Sequence, residues 1–231
     1  MKTEMGTAGR SLFFVGLIIA LTDVNSLHAQ SDATQNASPG ASARDQLQEE
    51  SNPGIWLDDI GDGFRAAAKS FNLSLGASRG VPILGGTLRH DLALASLSYG
   101  LTLGSVVGQG HWYRGNWEGR IELFGGSQFS PQPDWLVGAA PHIRYDFATG
   151  TRWVPYIDAG AGVTGTAIGP PDLSGTFEFN LQGCIGTLYF LRKDLALSTD
   201  ARLLHLSCAG LHSPNLGLNT ILGTIGMRWF F

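Results

Sequence analysis

Charge is scarce in this sequence: Asp, Glu, Lys and Arg together make up 15% of 231 residues, against about 25% in an average soluble domain. Over the bulk of the chain that argues against disorder and against a coiled coil. Positive charge is scarcer still, with 15 Lys and Arg against 19 Asp and Glu, so the electrostatic footprint that neutralises a phosphate backbone is missing and nucleic acid is a poor partner. Two cysteines, Cys184 and Cys208, exclude a disulfide scaffold and a Cys-rich zinc module. His90, His111 and His212 fall in loop-like stretches without companions at metal-ligand spacing, so no metal site is expected. Gly160-Ala161-Gly162 does not open a helix, which removes the phosphate-binding-loop reading, and no cofactor is called for. Long hydrophobic runs are also missing. The longest, 12–21 (LFFVGLIIAL), is about half the roughly 20 residues of a membrane-spanning helix, so helical spans are excluded. What the chain does have is glycine, 32 residues of it, and a hydrophobic fraction of 43%, enough for one domain's worth of apolar surface.

Lys2 and Arg10 precede the apolar run, and Leu27-His28-Ala29 offers a small-residue cleavage site, so residues 1–29 read as a secretory signal peptide. Residues 30–54 are rich in Ser, Ala, Gln and Pro with almost no large apolar side chains, the composition of a disordered leader. In 55–70, Trp56, Ile60, Phe64 and Ala67 have near-helical spacing interrupted by glycines, which fits a short amphipathic segment or a first-strand extension equally well.

From Phe71 the pattern changes to period two, which means strands. Segments near 71–79, 91–103, 116–126, 134–147, 152–164, 176–190, 194–207 and 219–231 are separated by turn-forming clusters. In 134–147 one parity holds Trp135, Val137, Ala139, Ile143, Tyr145 and Phe147, while the other holds His142, Arg144 and Asp146. In 176–190 Phe177, Phe179, Leu181, Ile185 and Tyr189 stand against Glu178, Asn180 and Gln182. Such faces fit either a soluble sandwich or a membrane barrel. The export signal, the aromatic residues near strand ends (Trp117, Trp135, Tyr145, Phe147, Trp153, Tyr189, Trp229) and a terminal Phe231 on the apolar parity of its strand favour the barrel. That terminal aromatic resembles the assembly signal of bacterial outer-membrane barrels, so the barrel assembly machinery is an expected partner. The fold class is therefore all-β: an eight-stranded antiparallel transmembrane β-barrel of the bacterial outer membrane, spanning residues 71–231.

Tight turns at 148–151 and 192–193 contrast with longer connections at 80–90, 127–133, 165–175 and 208–218, which places the short ones in the periplasm and the long ones outside. Connection 104–115 is too long for a periplasmic turn and suggests flanking strands that extend toward Gly108–Gly110. Glu118, Arg120, Glu122, Arg144, Asp158, Asp200 and Arg202, with His142, read as an interior ion-pair network rather than a pore, because eight strands leave room only for side chains. With 192–193 as a two-residue turn, Cys184 pairs opposite Ala201 and Cys208 lies about 23 Å further along at 3.3 Å per residue, beyond disulfide reach. Two free thiols follow, with Cys208 open to oxidation.

The stretch 201–211 (ARLLHLSCAGL) carries the chemistry. His205 and Ser207 are two apart on a strand and share a face, so the imidazole can take the serine proton. Parity sets them with Leu195, Leu197, Ala201 and Leu203, on the lipid side, and sets Asn219 outward beside Ser207. Polar groups on an apolar wall are costly and point to function. The sequence resembles the lipid A 3-O-deacylase (acyloxyacyl hydrolase) family, whose His-x-Ser-Asn-Ala core appears as His205-Leu206-Ser207-Cys208-Ala209 and whose Pro-Asn-x-Gly stretch appears as Pro214-Asn215-Leu216-Gly217. The resemblance implies an eight-stranded outer-membrane serine ester hydrolase that removes a 3-hydroxyacyl chain from lipid A of lipopolysaccharide in the outer leaflet. It implies Ser207 as nucleophile, His205 as base and a third member that orients the His, here Asn219 in place of an acid. Cys208, Ala209, Gly210 and Asn215 fall where the oxyanion and substrate are positioned, with Cys208 replacing an asparagine. The competing expectation is a non-catalytic outer-membrane barrel, binding lipopolysaccharide or serving adhesion or structure, in which this set has decayed.

Overall fold

The computed structural model describes residues 60–61 and 63–231; the signal-peptide and leader readings fall outside them. Eight strands follow one another: β1 (Lys69–Gly80), β2 (Asp91–Thr102), β3 (Gly115–Ser130), β4 (Asp134–Phe147), β5 (Trp153–Thr166), β6 (Phe177–Arg192), β7 (Leu195–Ser207) and β8 (Leu218–Phe230). Each pairs antiparallel with its chain neighbour, and β8 closes on β1 through Ser70↔Phe230 to Gly80↔Thr220. No strand edge is left open, as a lipid-embedded sheet requires. The outward parity carries Leu73, Leu75, Ile121, Leu123, Val137, Leu181, Ile185, Ile221 and Ile225, all exposed, and outward aromatics cluster toward the strand ends as Trp117–Tyr145–Phe147 and Trp153–Tyr189.

Most connections move by one or two residues from their sequence reading, and two differ more. β3 continues to Ser130, so the connection to β4 is 131–133 rather than 127–133; Gly125 and Gly126 interrupt the apolar alternation there without interrupting the pairing. On the other side of β3, the flanking strands do not extend toward Gly108–Gly110. Residues 103–114 form a loop that carries an isolated bridge between Val107 and Gly115. With the lower rim defined by the start of β1 and the end of β8, the lower connections are 103–114, 148–152 and 193–194, and the upper ones 81–90, 131–133, 167–176 and 208–217.

The interior is filled in layers. Against the lower rim, Phe64 enters the mouth and stacks on Phe230 with ring centroids 5.3 Å apart, packed among Phe190, Leu188, Val154 and Ala196. Its backbone is held at both ends by Asn116, which accepts the Phe64 N–H at 3.1 Å and donates to the Phe64 carbonyl at 3.0 Å. The middle layer is ionic, as read from the sequence. Asp158 joins Arg120, Arg144 (2.8 Å) and His142 (2.6 Å), and Glu122 joins Arg202 (2.8 Å). Arg228 of β8 pairs with Glu118. Charges this deep are costly unless paired, and the paired network fills the bore with side chains. A second apolar layer lies toward the upper rim: Leu92, Leu94, Phe124, Leu136, Ile168, Leu173, Leu204, Leu206, Leu218 and Leu222. The inward face is thus not polar throughout.

The β6–β7 turn is 193–194 rather than 192–193, which moves the register by two residues, and a bulge between Phe190 and Arg192 takes one back, so Cys184 faces Arg202 and Ala201 faces Ile185. Both cysteines are free, as expected, and both are buried. Cys208 does not sit open at a rim: none of its surface reaches solvent, and its Sγ lies 3.4 Å from both the N–H and the carbonyl oxygen of His212. Burial thus shields Cys208 from the oxidation expected of an open rim position. Neither thiol should react with a maleimide in the folded barrel, and both should react after denaturation. Mass shifts of the intact protein would show this, and native labelling of Cys208 would contradict its burial.

Candidate active site

The upper end of β7 presents His205 and Ser207 on the outward face, both half-buried. His205 Nε2 lies 3.2 Å from Ser207 Oγ. Across the β7–β8 ladder His205 pairs directly with Asn219, and its Nδ1 lies 2.7 Å from Asn219 Oδ1. The three side chains assembled from sequence parity therefore form one hydrogen-bonded chain. Asn219 departs from its reading in one respect: it has outward parity but is 1% exposed. Loop 81–90 folds over it, and the Asn219 amide nitrogen donates to the Ile83 carbonyl at 2.6 Å.

That cover fixes the proton positions. The Ile83 carbonyl only accepts, so it takes the amide NH2 and leaves the amide oxygen toward His205. An amide oxygen also only accepts, so His205 Nδ1 carries the proton and Nε2 presents its lone pair to the Ser207 hydroxyl. This is the tautomer a general base needs.

Glycine makes the close packing possible. Gly217 has φ 83°, and a Cβ there would sit 3.0 Å from His205 Cε1. A Cβ at Gly86 would sit 2.6 Å from the Gly217 carbonyl oxygen and 3.3 Å from the Asn219 amide nitrogen. Backbone from loops 81–90 and 208–217 thus forms walls on either side of the imidazole and its partner.

The residues after Ser207 divide into two roles. The Cys208 N–H donates to Asn215 Oδ1 at 3.1 Å, so it is engaged in closing loop 208–217, and Asn215 does turn chemistry. Ala209 (φ 51°) and Gly210 (φ 84°) are consecutive left-handed residues, both exposed, whose N–H groups bond to no other described group. Beside Ser207 on β6 stand Phe179, its direct cross-strand partner, with Phe177 and Leu181, all exposed and apolar.

The comparisons with known proteins agree on this architecture and name a family. Residues 89–228, from the approach to β2 through nearly all of β8, match the family model described as lipid A 3-O-deacylase (PagL). The chain belongs to that family. The matched span contains His205, Ser207 and Asn219. Among solved structures, the chain is similar to the outer membrane enzyme PagL, at 20% identity over 66% of this chain and 97% of that one, with a TM-score of 0.49. It is also similar to Neisserial surface protein A, at 15% identity over 71% of this chain and 99% of that one, with a TM-score of 0.52. The latter likeness bears on the fold, an eight-stranded barrel of outer-membrane type. None of the curated proteins matches this deacylase-family sequence.

Some parts of the site lay beyond sequence reasoning. Ile83, Gly86 and Gly217 contribute backbone rather than side-chain chemistry, and nothing in their local pattern marks them. His90, read as a loop residue, is buried and bridges Gln128 Oε1 (2.5 Å) and Asp172 Oδ2 (2.9 Å). No cluster of metal-ligating side chains occurs among the described residues.

Proposed function

We propose that the protein is an outer-membrane serine ester hydrolase that removes an ester-linked 3-hydroxyacyl chain from lipid A, with Ser207 as nucleophile, His205 as base and Asn219 holding the imidazole. The observation that carries the reading is the continuous chain Asn219–His205–Ser207, at 2.7 and 3.2 Å, on the outward wall of a barrel from the deacylase family. An interior site would be sealed from lipid by the packed bore, whereas an outward one meets acyl chains directly.

His205 Nε2 takes the Ser207 proton while Oγ attacks the ester carbonyl. The tetrahedral oxyanion is held by the N–H groups of Ala209 and Gly210, which are exposed and otherwise unengaged. As the bond from the acyl carbon to the sugar 3-oxygen breaks, His205 returns its proton to that oxygen. His205 then takes a proton from water as the water attacks the acyl-serine, and returns it to Ser207 Oγ as the acyl–Oγ bond breaks and the hydroxy fatty acid leaves. Phe177, Phe179 and Leu181 offer apolar surface along which the acyl chain can lie. No step requires a metal or a cofactor. Asn219 keeps the tautomer as a carboxylate would but offers less to the imidazolium formed in each transition state, so turnover is expected to be slow.

Lipid A incubated with the refolded mature protein in detergent and analysed by mass spectrometry tests this reading. The parent should remove the mass of one hydroxyacyl chain, and Ser207→Ala should remove none. Intact lipid A from parent protein that is folded by heat-modified gel mobility would reject the hydrolase and favour the binding barrel.

A further inference from the structure

Asp172 lies in the upper loop 167–176, outside the Ser207–His205–Asn219 chain, yet three upper connections converge on it. It is fully buried. Its Oδ1 accepts from the Thr87 N–H (3.0 Å) and the Thr87 hydroxyl (2.7 Å). Its Oδ2 accepts from the Leu88 N–H (2.8 Å) and is 2.9 Å from His90 Nε2. Its backbone carbonyl accepts from the Leu216 N–H (3.1 Å) and the Gly217 N–H (2.9 Å). One residue therefore ties the loop that supplies the Ile83 carbonyl to the segment that presses Gly217 against His205. Burial alone would raise its pKa, but these hydrogen bonds outweigh that and hold the carboxyl below the ordinary carboxylate range, so the clamp is charged at neutral pH.

We infer that Asp172 is a positioning residue for the hydrolase: by clamping loop 81–90 and the Leu216–Gly217 segment to one point, it holds the Asn219 amide in the orientation that keeps the proton on His205 Nδ1. This rests on the hydrolase reading for its effect on turnover, but its effect on the imidazole is independent of any substrate. A four-donor carboxylate is an acceptor-only hub, and no neutral isostere can replace it. In Asp172→Asn the new NH2 must face at least one of the Thr87, Leu88 or His90 donors. Loop 81–90 is then released, Ile83 no longer fixes the Asn219 amide, and that amide can turn over, offering its NH2 to His205 and moving the imidazole proton to Nε2. There it blocks acceptance from Ser207.

The test uses the full barrel in micelles, with 15N-histidine spectra assigned by comparison with His205→Gln. In the parent, His205 should show the Nδ1–H tautomer. In Asp172→Asn it should move to a mixture with substantial Nε2–H, while kcat on lipid A falls at least tenfold and KM stays within twofold. Thr87→Val, which removes one donor and leaves the carboxylate, should shift both readouts in the same direction by less. In an Asn219→Asp background, where a carboxylate accepts from His205 in any orientation and the Ile83 carbonyl repels it, Asp172→Asn should cost less than threefold. An unchanged tautomer in folded Asp172→Asn, or an equal loss of kcat with and without Asn219→Asp, would overturn the proposal. A parent that shows the Nδ1–H tautomer and hydrolyses no lipid A would reject the hydrolase reading while leaving the tautomer shift to decide the role of Asp172.

Discussion

Asn219→Leu is expected to lower the rate of acyl release by about 10³–10⁴-fold, less than removing the nucleophile, because losing the group that orients the base costs about that much in hydrolases with a serine–histidine pair. Leucine fills the same space beneath loop 81–90, where Asn219 is 1% exposed, but it accepts nothing from His205 Nδ1. The imidazole then places its proton on either nitrogen, and the arrangement in which Nε2 carries it cannot deprotonate Ser207. The Ile83 carbonyl, which takes the Asn219 NH2 at 2.6 Å, is orphaned by the same change and works against loop closure. Single-turnover release of hydroxy fatty acid, followed by mass spectrometry, measures the effect. A loss under tenfold would mean that the strand alone orients His205. The same geometry makes an acid at this position a poor improvement. Asn219→Asp sets a carboxylate against the Ile83 carbonyl, so restoring the family's acidic third member should not accelerate the enzyme while loop 81–90 stays closed.

Phe64→Ala should destabilise the barrel by about 3–5 kcal/mol, the usual cost of truncating a buried phenylalanine. Phe64 is 2% exposed, stacks on Phe230 and lies 6.4 Å from Phe190. Its removal leaves a void at the lower mouth that two rings on strands of fixed register cannot close. Urea unfolding in micelles, read by the gel mobility of folded and unfolded forms, should show a clearly lower midpoint than for Phe71→Ala. Phe71 faces outward and is partly exposed, so detergent can take the place of its lost ring. Equal midpoints for the two variants would remove Phe64 from the core.

The strands were legible because lipid and bore impose opposite demands on successive residues. β6 announces itself by setting Phe177, Phe179 and Leu181 against Glu178, Asn180 and Gln182. The same rule places His205, Ser207 and Asn219 on one wall from parity alone. It failed where the demand is not local. Leu204, Leu206 and Leu218 sit on the inward parity, but whether that parity meets charge or another leucine depends on strands across the bore. Gly125 and Gly126 carry no side-chain signal, so the pattern of β3 stops short of its backbone, which goes on pairing with β4. The cover over Asn219 was invisible for a third reason. It is made by a main-chain carbonyl 136 residues away, and any residue except one that misplaces the loop could supply it.

The outward position of Ser207, on a barrel whose bore is packed through three layers, changes what concentration means for the proposed hydrolase. Substrate can arrive only by moving within the plane of the leaflet, so encounter is two-dimensional. The rate should follow the mole fraction of lipid A in the surrounding film rather than the amount of lipid A in the vessel. Diluting mixed micelles with buffer should leave the initial velocity per enzyme nearly unchanged. Diluting them with inert detergent at fixed lipid A should slow it in proportion.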